Sequence, residues 1–162
     1  MSRVTAVPEG VDGVAGIVAQ LNGLKAQYGR LPAIRSMALR IIAGLGNHDQ
    51  AGQITKLAGF VRGAVRYVCD PLNLEYIQTP DAMLLEIARN GYVYGDCDDH
   101  ALLFASLAES IGIPCDIAGV AAPGSVTYDH VIVVAHLEAG IVRRTRGRRQ
   151  DPAAAGIRRQ AD

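Results

Sequence analysis

The sequence predicts an α+β domain in which a series of helices precedes a β-hairpin. Apolar residues in the first half recur at spacings of three and four, as they do in helices that bury one face. Beyond a longer apolar run, the segments CDIAGVAA and HVIVVAHL are rich in β-branched residues and are separated by turn-forming residues. The length of 162 residues is that of one domain with a sizeable core.

Three helices are predicted in the first half of the chain. The apolar stripe of the first helix consists of Val14, Ile17, Val18, Leu21 and Leu24. A glycine and Pro32 separate it from a second helix over about 33–45. A third helix is expected over about 51–68, because Asp70-Pro71 then imposes an extended or turn conformation.

The second half begins with a loop and a short helix, for which Asp81 is the expected N-cap because it follows Pro80. The central helix begins near Cys97 and has almost no polar face, which is typical of a helix surrounded by other elements. Gly112 and Pro114 end it. We therefore expect a buried central helix that packs on a small antiparallel sheet.

Composition and charge argue against several classes of protein. With 49% hydrophobic and 20% charged residues the chain is not disordered by composition, and no apolar run approaches the roughly 18 residues of a membrane span. The N-terminus MSRVTAVPEG has no apolar signal segment, and three cysteines at irregular spacing argue against a disulfide framework. We therefore expect a cytoplasmic protein without a membrane partner.

The basic residues are unevenly placed, although the net charge is zero. Seven of the sixteen are arginines between positions 143 and 159. Such a tail can attract the phosphates of nucleic acid, but it has no aromatic residue on which a base could stack, so a solvated tail is the favoured interpretation. We expect an N-terminal helical region (1–66), a core (67–140) and a basic, partly disordered tail (141–162).

Cys97 stands at the entrance of the central helix and not inside its apolar run, where a structural cysteine would normally lie. The free amides and the dipole of a helix N-terminus stabilise a thiolate and are expected to lower its pKa. His130 opens the second hairpin strand, and a hairpin packed along the helix would return it to Cys97 as the base. His100, on the first helical turn, is the poorer candidate for this role.

Three motifs follow one another in a recognisable order: Gly95-Asp96-Cys97-Asp98-Asp99-His100-Ala101, the helix end Gly112-Ile113-Pro114, and Asp129-His130-Val131. They resemble the transglutaminase-like superfamily of the papain-like thiol fold. Tyr67-Val68-Cys69-Asp70-Pro71 and the segment from Glu75 to Pro80 look like compact members from phage and prophage gene clusters. The resemblance spans about Tyr67 to Leu137 and implies a papain-like core without cofactor or metal.

The same resemblance implies a catalytic cysteine, histidine and aspartate that act on an amide bond of a protein or peptide. Because the resemblance is to small microbial and phage members, we expect hydrolysis and not transfer to an amine. The aspartate of this family precedes a proline, which points to Asp151. The preceding stretch RRTRGRRQ has no apolar alternation that would fix a strand. We therefore expect an irregular segment after about Ile141, no hydrogen bond from Asp151 to His130, and weak activity.

Two other classes of function remain open. Cys97, His100, His130 and an aspartate could ligate a metal, but the chain has neither a Cys-x-x-Cys pair nor a His-Glu-x-x-His helix. A catalytically impaired domain with a structural or assembly role is the other alternative. Cys69 and Cys115 are expected to be core residues under every one of these interpretations.

We also expect specific roles for the polar residues around the cysteine motif. Asp96, Asp98 and Asp99 are expected to cap the central helix. At least some of these carboxylates should point away from a reactive thiol, because a neighbouring negative charge raises its pKa. An oxyanion needs a second donor besides the Cys97 amide, and Gln78 and Tyr94 are the upstream polar candidates.

Overall fold

The structure is a computed structural model that describes residues 3–5, 11–69, 75–121 and 130–138. Within these ranges the chain forms five helices and six short strands. In chain order they are β1 (Arg3–Thr5), α1 (Val11–Tyr28), α2 (Pro32–Ile41), α3 (Gln50–Ala64), β2 (Val65–Tyr67), β3 (Glu75–Ile77), α4 (Pro80–Asn90), β4 (Val93–Gly95), α5 (Cys97–Ser110), β5 (Cys115–Val120) and β6 (His130–Ala135). The predicted α+β class is confirmed.

Helix α5 is the centre of the hydrophobic core, as its lack of a polar face predicts. It contacts α1, α2, α3 and both strands of the β5–β6 hairpin. Leu102, Leu103 and Leu107 are fully buried, and each such side chain contributes roughly 1.5–3 kcal/mol to folding. The helix ends before Gly112, which has the left-handed φ of 87° that favours glycine.

The β5–β6 hairpin is antiparallel and runs from the pair Cys115 and Ala135 to the pair Val120 and His130. Its exposure alternates along β6, as expected for a sheet with one face on a helix. Val131 and Val133 are half-buried on the side that packs against the core, whereas His130 is exposed. The predicted hairpin is therefore confirmed, and His130 is its first residue on β6.

Strands β2 and β4 form a parallel pair that the sequence did not predict. Val65 lies opposite Val93 and Tyr67 opposite Gly95, so α3 ends at Ala64 and the expected helix over 51–68 is too long. Val65 falls four residues after the buried Val61 and therefore continues the helical stripe in the sequence. The partner strand, which is distant in sequence, decides its extended conformation.

Two smaller differences concern segments near β3. Strands β1 and β3 pair antiparallel over three residues each, where a loop was expected. Helix α4 begins at Pro80 after the N-cap Thr79, so Asp81 lies in the first turn and is not the cap. Proline is favoured at this first helical position because its missing N–H would have no intrahelical partner there.

The N-terminal helix α1 is tied to the hairpin through Asn22. The Asn22 side-chain amide donates to the Ile117 carbonyl at 2.9 Å, and its oxygen accepts from the Ile117 N–H at 3.1 Å. Asn22 thus satisfies backbone groups of β5 on the side away from β6.

Helix α1 also packs on α5, so the described part of the N-terminal region shares one hydrophobic core with the segment after it. The boundaries proposed at 66 and 140 stay predictions. The tail (141–162) lies outside the described residues. Among the helices that the structure describes, none is long and apolar enough to cross a membrane.

Candidate active site

Cys97 is the first residue of α5, directly after the N-cap Asp96. The Asp96 carboxylate accepts hydrogen bonds from the backbone amides of Asp98 at 3.0 Å and Asp99 at 3.4 Å. This is the capping arrangement that the sequence predicts for Asp96. The beginning of α5 therefore holds Cys97 at a fixed place, where its side chain is half-buried.

The Cys97 thiol is much less acidic than its position at a helix N-terminus predicts. Its pKa is raised to about 12, most of all because the thiol is buried and also because the carboxylates of Asp98 and Asp96 lie near it. The sulfur lies 3.6 Å from Asp98 Oδ1, an arrangement in which the protonated thiol donates. The expectation of a lowered pKa is thus wrong, because burial and the charges of Asp98 and Asp96 outweigh the effect of the helix N-terminus on the thiolate.

Strand β6 brings His130 to the same place. The backbone N–H of Val131 donates a hydrogen bond toward the Cys97 sulfur. This bond lowers the pKa of the thiol, but by less than burial and the two carboxylates raise it. Because His130 directly precedes Val131, its backbone lies beside the thiol. Among the residues that the structure describes, no direct hydrogen bond joins the Cys97 sulfur to the His130 ring.

Cys97 and His130 line one open cavity of about 420 Å³. The other polar residues on its wall are Arg62, Tyr67 and His100. Its apolar lining consists of Ala58, Val61, Ala101, Phe104, Val131 and Val133. The volume lies within the roughly 300–1,000 Å³ of small-molecule sites in proteins. The two predicted site residues therefore share a space large enough for a substrate.

His100 has a fixed orientation in this cavity. Its Nδ1 lies 2.7 Å from the backbone carbonyl of Asp96. Since a carbonyl only accepts, Nδ1 carries the proton, and in the neutral ring Nε2 is unprotonated. The ring is 6.1 Å from that of Tyr67. His100 thus has the local packing and capping role that was expected for it, and it also forms part of the cavity wall.

Tyr67 is a member of this site that sequence reasoning missed. A hydrogen bond with the Cys69 side chain is the largest of the effects that raise its pKa to about 12, and the nearby Cys97 adds a smaller one. The phenol therefore stays protonated at ordinary pH. Cys69 is exposed, so the expectation that it is a core residue is wrong, whereas Cys115 is buried as expected.

A family model of the transglutaminase-like superfamily matches residues 35–143, about two thirds of the chain. This chain belongs to the transglutaminase-like superfamily. Typical members are thiol hydrolases or acyltransferases with a Cys-His-Asp site. No curated protein and no solved structure matches the chain. The match begins within α2, upstream of the motifs that carry the resemblance.

A second, separate cavity lies behind the cysteine motif of this transglutaminase-like domain. It measures about 300 Å³ and is lined in part by Gln78, Tyr94, Gly95 and Asp99. Gln78 and Tyr94 therefore face a different space from Cys97, and the Gln78 amide donates to the Tyr94 carbonyl at 2.6 Å and to Asp99 at 2.8 Å. Neither lines the cavity with the thiol, so their expected role as oxyanion donors is not supported.

Asp99 is the carboxylate of the motif that points away from the thiol. It is almost fully buried and accepts hydrogen bonds from both the backbone and the side-chain amide of Gln78, each at 2.8 Å. A Cβ on Gly95 would lie 2.8 Å from the Asp99 Cβ. Only glycine leaves room for this close approach, which gives the first residue of the motif a structural reason.

The potential metal ligands that lie together in this transglutaminase-like domain are not the predicted set of Cys97, His100, His130 and an aspartate. Within the described ranges, Asp96, Cys97 and Asp98 have ligand atoms within 4.8 Å of one another, and neither histidine joins them. His100 Nδ1 is bonded to the Asp96 carbonyl instead. Asp151, the expected third catalytic residue, lies outside the described residues, so its role stays a prediction.

Proposed function

We propose that this transglutaminase-like domain hydrolyses an amide bond of a protein or peptide, with Cys97 as the nucleophile and His130 as the proton acceptor and donor. The observation that carries the proposal is the contact of β6 with the thiol, where the Val131 N–H donates to the Cys97 sulfur. This contact, together with the shared cavity, supports a thiol and an imidazole that act on one substrate.

In the first step the Cys97 sulfur attacks the amide carbon while its proton passes to His130. A carbon–sulfur bond forms, the carbon–nitrogen bond breaks, and His130 returns the proton to the leaving amine. In the second step His130 takes a proton from water, whose oxygen attacks the thioester. The carbon–sulfur bond then breaks, the carboxylic acid leaves, and the sulfur regains its proton.

Two donors are available for the oxyanion that forms in both steps. The Cys97 backbone N–H has no hydrogen bond to another residue that the structure describes. Tyr67 lines the same cavity, and its hydroxyl is hydrogen-bonded to the side chain of Cys69. Because sulfur is a weak acceptor, an oxyanion would be the preferred partner of this phenol.

The raised pKa of Cys97, about 12, has a consequence for the mechanism. At neutral pH only roughly one sulfur in 10⁵ is a thiolate, so a stable thiolate–imidazolium pair is not the resting state. His130 must remove the proton during the attack. Hydrolysis of unactivated amides is therefore expected to be slow.

The experiment is mass spectrometry of the intact protein with p-nitrophenyl acetate, followed by assays on peptide amides. We expect an acetyl group on Cys97, its loss in Cys97→Ala, and strongly slowed formation in His130→Ala. Cys69→Ala is the matched control, because it removes an exposed thiol beside the cavity. An acetyl group that persists in Cys97→Ala contradicts the proposal.

A catalytically silent domain with a structural or assembly role is the second candidate. The observation that favours it is the same raised pKa of about 12, because a thiol held protonated by burial and by two nearby carboxylates is a poor nucleophile. Absence of any Cys97 acylation, in a protein that is folded by circular dichroism, would support it. A phage or prophage origin and a cytoplasmic location stay predictions.

A further inference from the structure

We propose that the cavity at Cys97 selects substrates that carry a free carboxylate, and that Arg62 binds this carboxylate. The inference rests on the proposed function, because it takes Cys97 as the position of the reacting amide. It adds the class of substrate: a short acidic peptide or acylated amino acid with an aliphatic portion between the amide and the carboxylate.

Among the described residues of the cavity wall, Arg62 is the one whose side chain is charged at every ordinary pH. It lies in the last turn of α3, where a cation also interacts favourably with the helix dipole. Within the described part of the chain, its guanidinium makes no hydrogen bond or ion pair with a carboxylate.

The carboxylates closest to the thiol do not neutralise this charge on the cavity wall. The Asp96 side chain accepts the backbone amides of α5, and the Asp98 side chain accepts from the Cys97 thiol. Neither residue is part of the cavity lining. A substrate carboxylate is therefore the group that the wall is best suited to bind, because a guanidinium holds a carboxylate by two parallel hydrogen bonds.

The remainder of the cavity wall specifies an aliphatic group. Val61 and Ala101 belong to the hydrophobic core, and Phe104 and Val133 pack against it. Such a surface favours apolar groups over hydrated ones. A leucine-like side chain, an amide at Cys97 and a carboxylate at Arg62 therefore match the three chemical parts of the cavity.

The test uses three alkylating probes that need no acyl transfer. N-bromoacetyl-leucine carries the carboxylate at the chain end, its methylamide is the neutral match, and N-bromoacetyl-glutamic acid α-amide carries the carboxylate on the side chain. The rate at Cys97 is measured by peptide mapping in mildly alkaline buffer, for the native protein and for Arg62→Gln. Arg40→Gln is the control, because Arg40 is also an exposed arginine in the last turn of a helix.

We expect one of the two acidic probes to react about fivefold to tenfold faster than the methylamide, and this preference to disappear in Arg62→Gln but not in Arg40→Gln. The acidic probe that is preferred identifies the source of the carboxylate. An equal rate for all three probes, or an equal loss in Arg40→Gln, overturns the inference. Because alkylation forms no acyl intermediate, this result is independent of the acetylation test of the proposed function.

Discussion

Asp96 both positions the Cys97 thiol and contributes to its raised pKa. As N-cap it fixes the beginning of α5, yet its carboxylate accepts the two amides that would otherwise stabilise a thiolate. The negative charges of Asp96 and Asp98 then add to the effect of burial, so the pKa rises to about 12. The residue that positions the nucleophile therefore also helps to keep it protonated, and activation depends on the base.

The first prediction concerns the Asp98 carboxylate. In the native protein the charge of Asp98 and its hydrogen bond from the Cys97 thiol both raise the pKa of Cys97. Asp98→Asn removes the charge and changes the hydrogen-bond acceptor. The pKa should fall and the thiolate fraction at neutral pH should rise roughly tenfold for each unit of the fall. Alkylation by iodoacetamide should accelerate by a smaller factor, because a less basic thiolate is a weaker nucleophile. Site-resolved peptide mapping measures the rate at Cys97 apart from that of the exposed Cys69.

Asp116→Asn serves as the control for this experiment, because it removes a carboxylate on the hairpin that acts on Cys115 and not on Cys97. In the native protein, the rate should climb steadily with pH toward about 12, with no plateau near neutrality. A plateau at neutral pH, or an unchanged rate in Asp98→Asn, would show that the carboxylate does not control the thiol.

The second prediction tests Tyr67 as an oxyanion donor. Tyr67→Phe should slow acetylation of Cys97 by p-nitrophenyl acetate about tenfold, since a donor to the tetrahedral intermediate is lost. Alkylation by iodoacetamide should change little, because displacement at a saturated carbon forms no oxyanion. Tyr94→Phe, which alters a tyrosine of the second cavity, is the control. Parallel slowing of both reactions would assign Tyr67 to thiol activation instead.

At the scale of elements, the helices with apolar stripes of several turns were predictable from the sequence, whereas the strands of three residues were not. The stripe of Leu21 and Leu24 and the apolar run of α5 each extend over several turns, so the sequence alone indicates their burial. Strands β2 and β4 have three residues each, and their parallel pairing depends on a partner far along the chain. Local propensity therefore carries no signal for them.

The residues of the candidate site were likewise predictable only in part. Cys97 and His130 stand in motifs that predict their roles, and the structure places both on one cavity. Arg62 and Tyr67 reach that cavity because α3 packs on α5 and β2 pairs with β4, two long-range contacts that no local pattern encodes. Gln78 was expected at the oxyanion, but its amide holds Asp99 behind the motif. A polar residue type alone does not say which of two cavities it faces.

The third prediction concerns the connection between Gln78 and α5. Gln78→Ala removes the side-chain donor to Asp99 and to the Tyr94 carbonyl, and leaves a buried carboxylate with one partner fewer. The free energy of unfolding in urea should fall by about 1–2 kcal/mol. Asn90→Ala removes an exposed bond to Glu86 and should change it by less than about 0.5 kcal/mol. Equal effects in the two variants would contradict a structural role for the connection.

At the scale of the whole molecule, Lys25 joins the N-terminal helix to the central helix and the hairpin. Its ammonium group lies 3.2 Å from Glu109 Oε1 and also donates to the Cys115 carbonyl. Glu109 in turn accepts from the Cys115 N–H at 3.2 Å. One buried cation therefore connects α1 to α5 and β5, two consecutive elements that follow much later in the chain.

The fourth prediction follows from this connection. Lys25→Met keeps the aliphatic length but leaves Glu109 and the Cys115 carbonyl without the ammonium, so the free energy of unfolding should fall by about 1–2 kcal/mol. Partial exposure of Glu109 to solvent limits the loss. Lys56→Met, which removes an exposed bond to the Ala43 carbonyl, should have almost no effect. Thermal and urea unfolding would measure both, and an unchanged Lys25→Met protein would contradict the prediction.

The hydrogen bonds between Asn22 and Ile117 span 95 positions of the chain, and this separation affects biosynthesis. At the roughly 5–20 residues per second of translation, β5 leaves the ribosome on the order of ten seconds after α1. Until then the Leu21 and Leu24 face of α1 has no hairpin to cover it. The burial of α1 therefore depends on residues that are translated later. Nascent chains that stop before β5 would expose an apolar surface to chaperones and proteases.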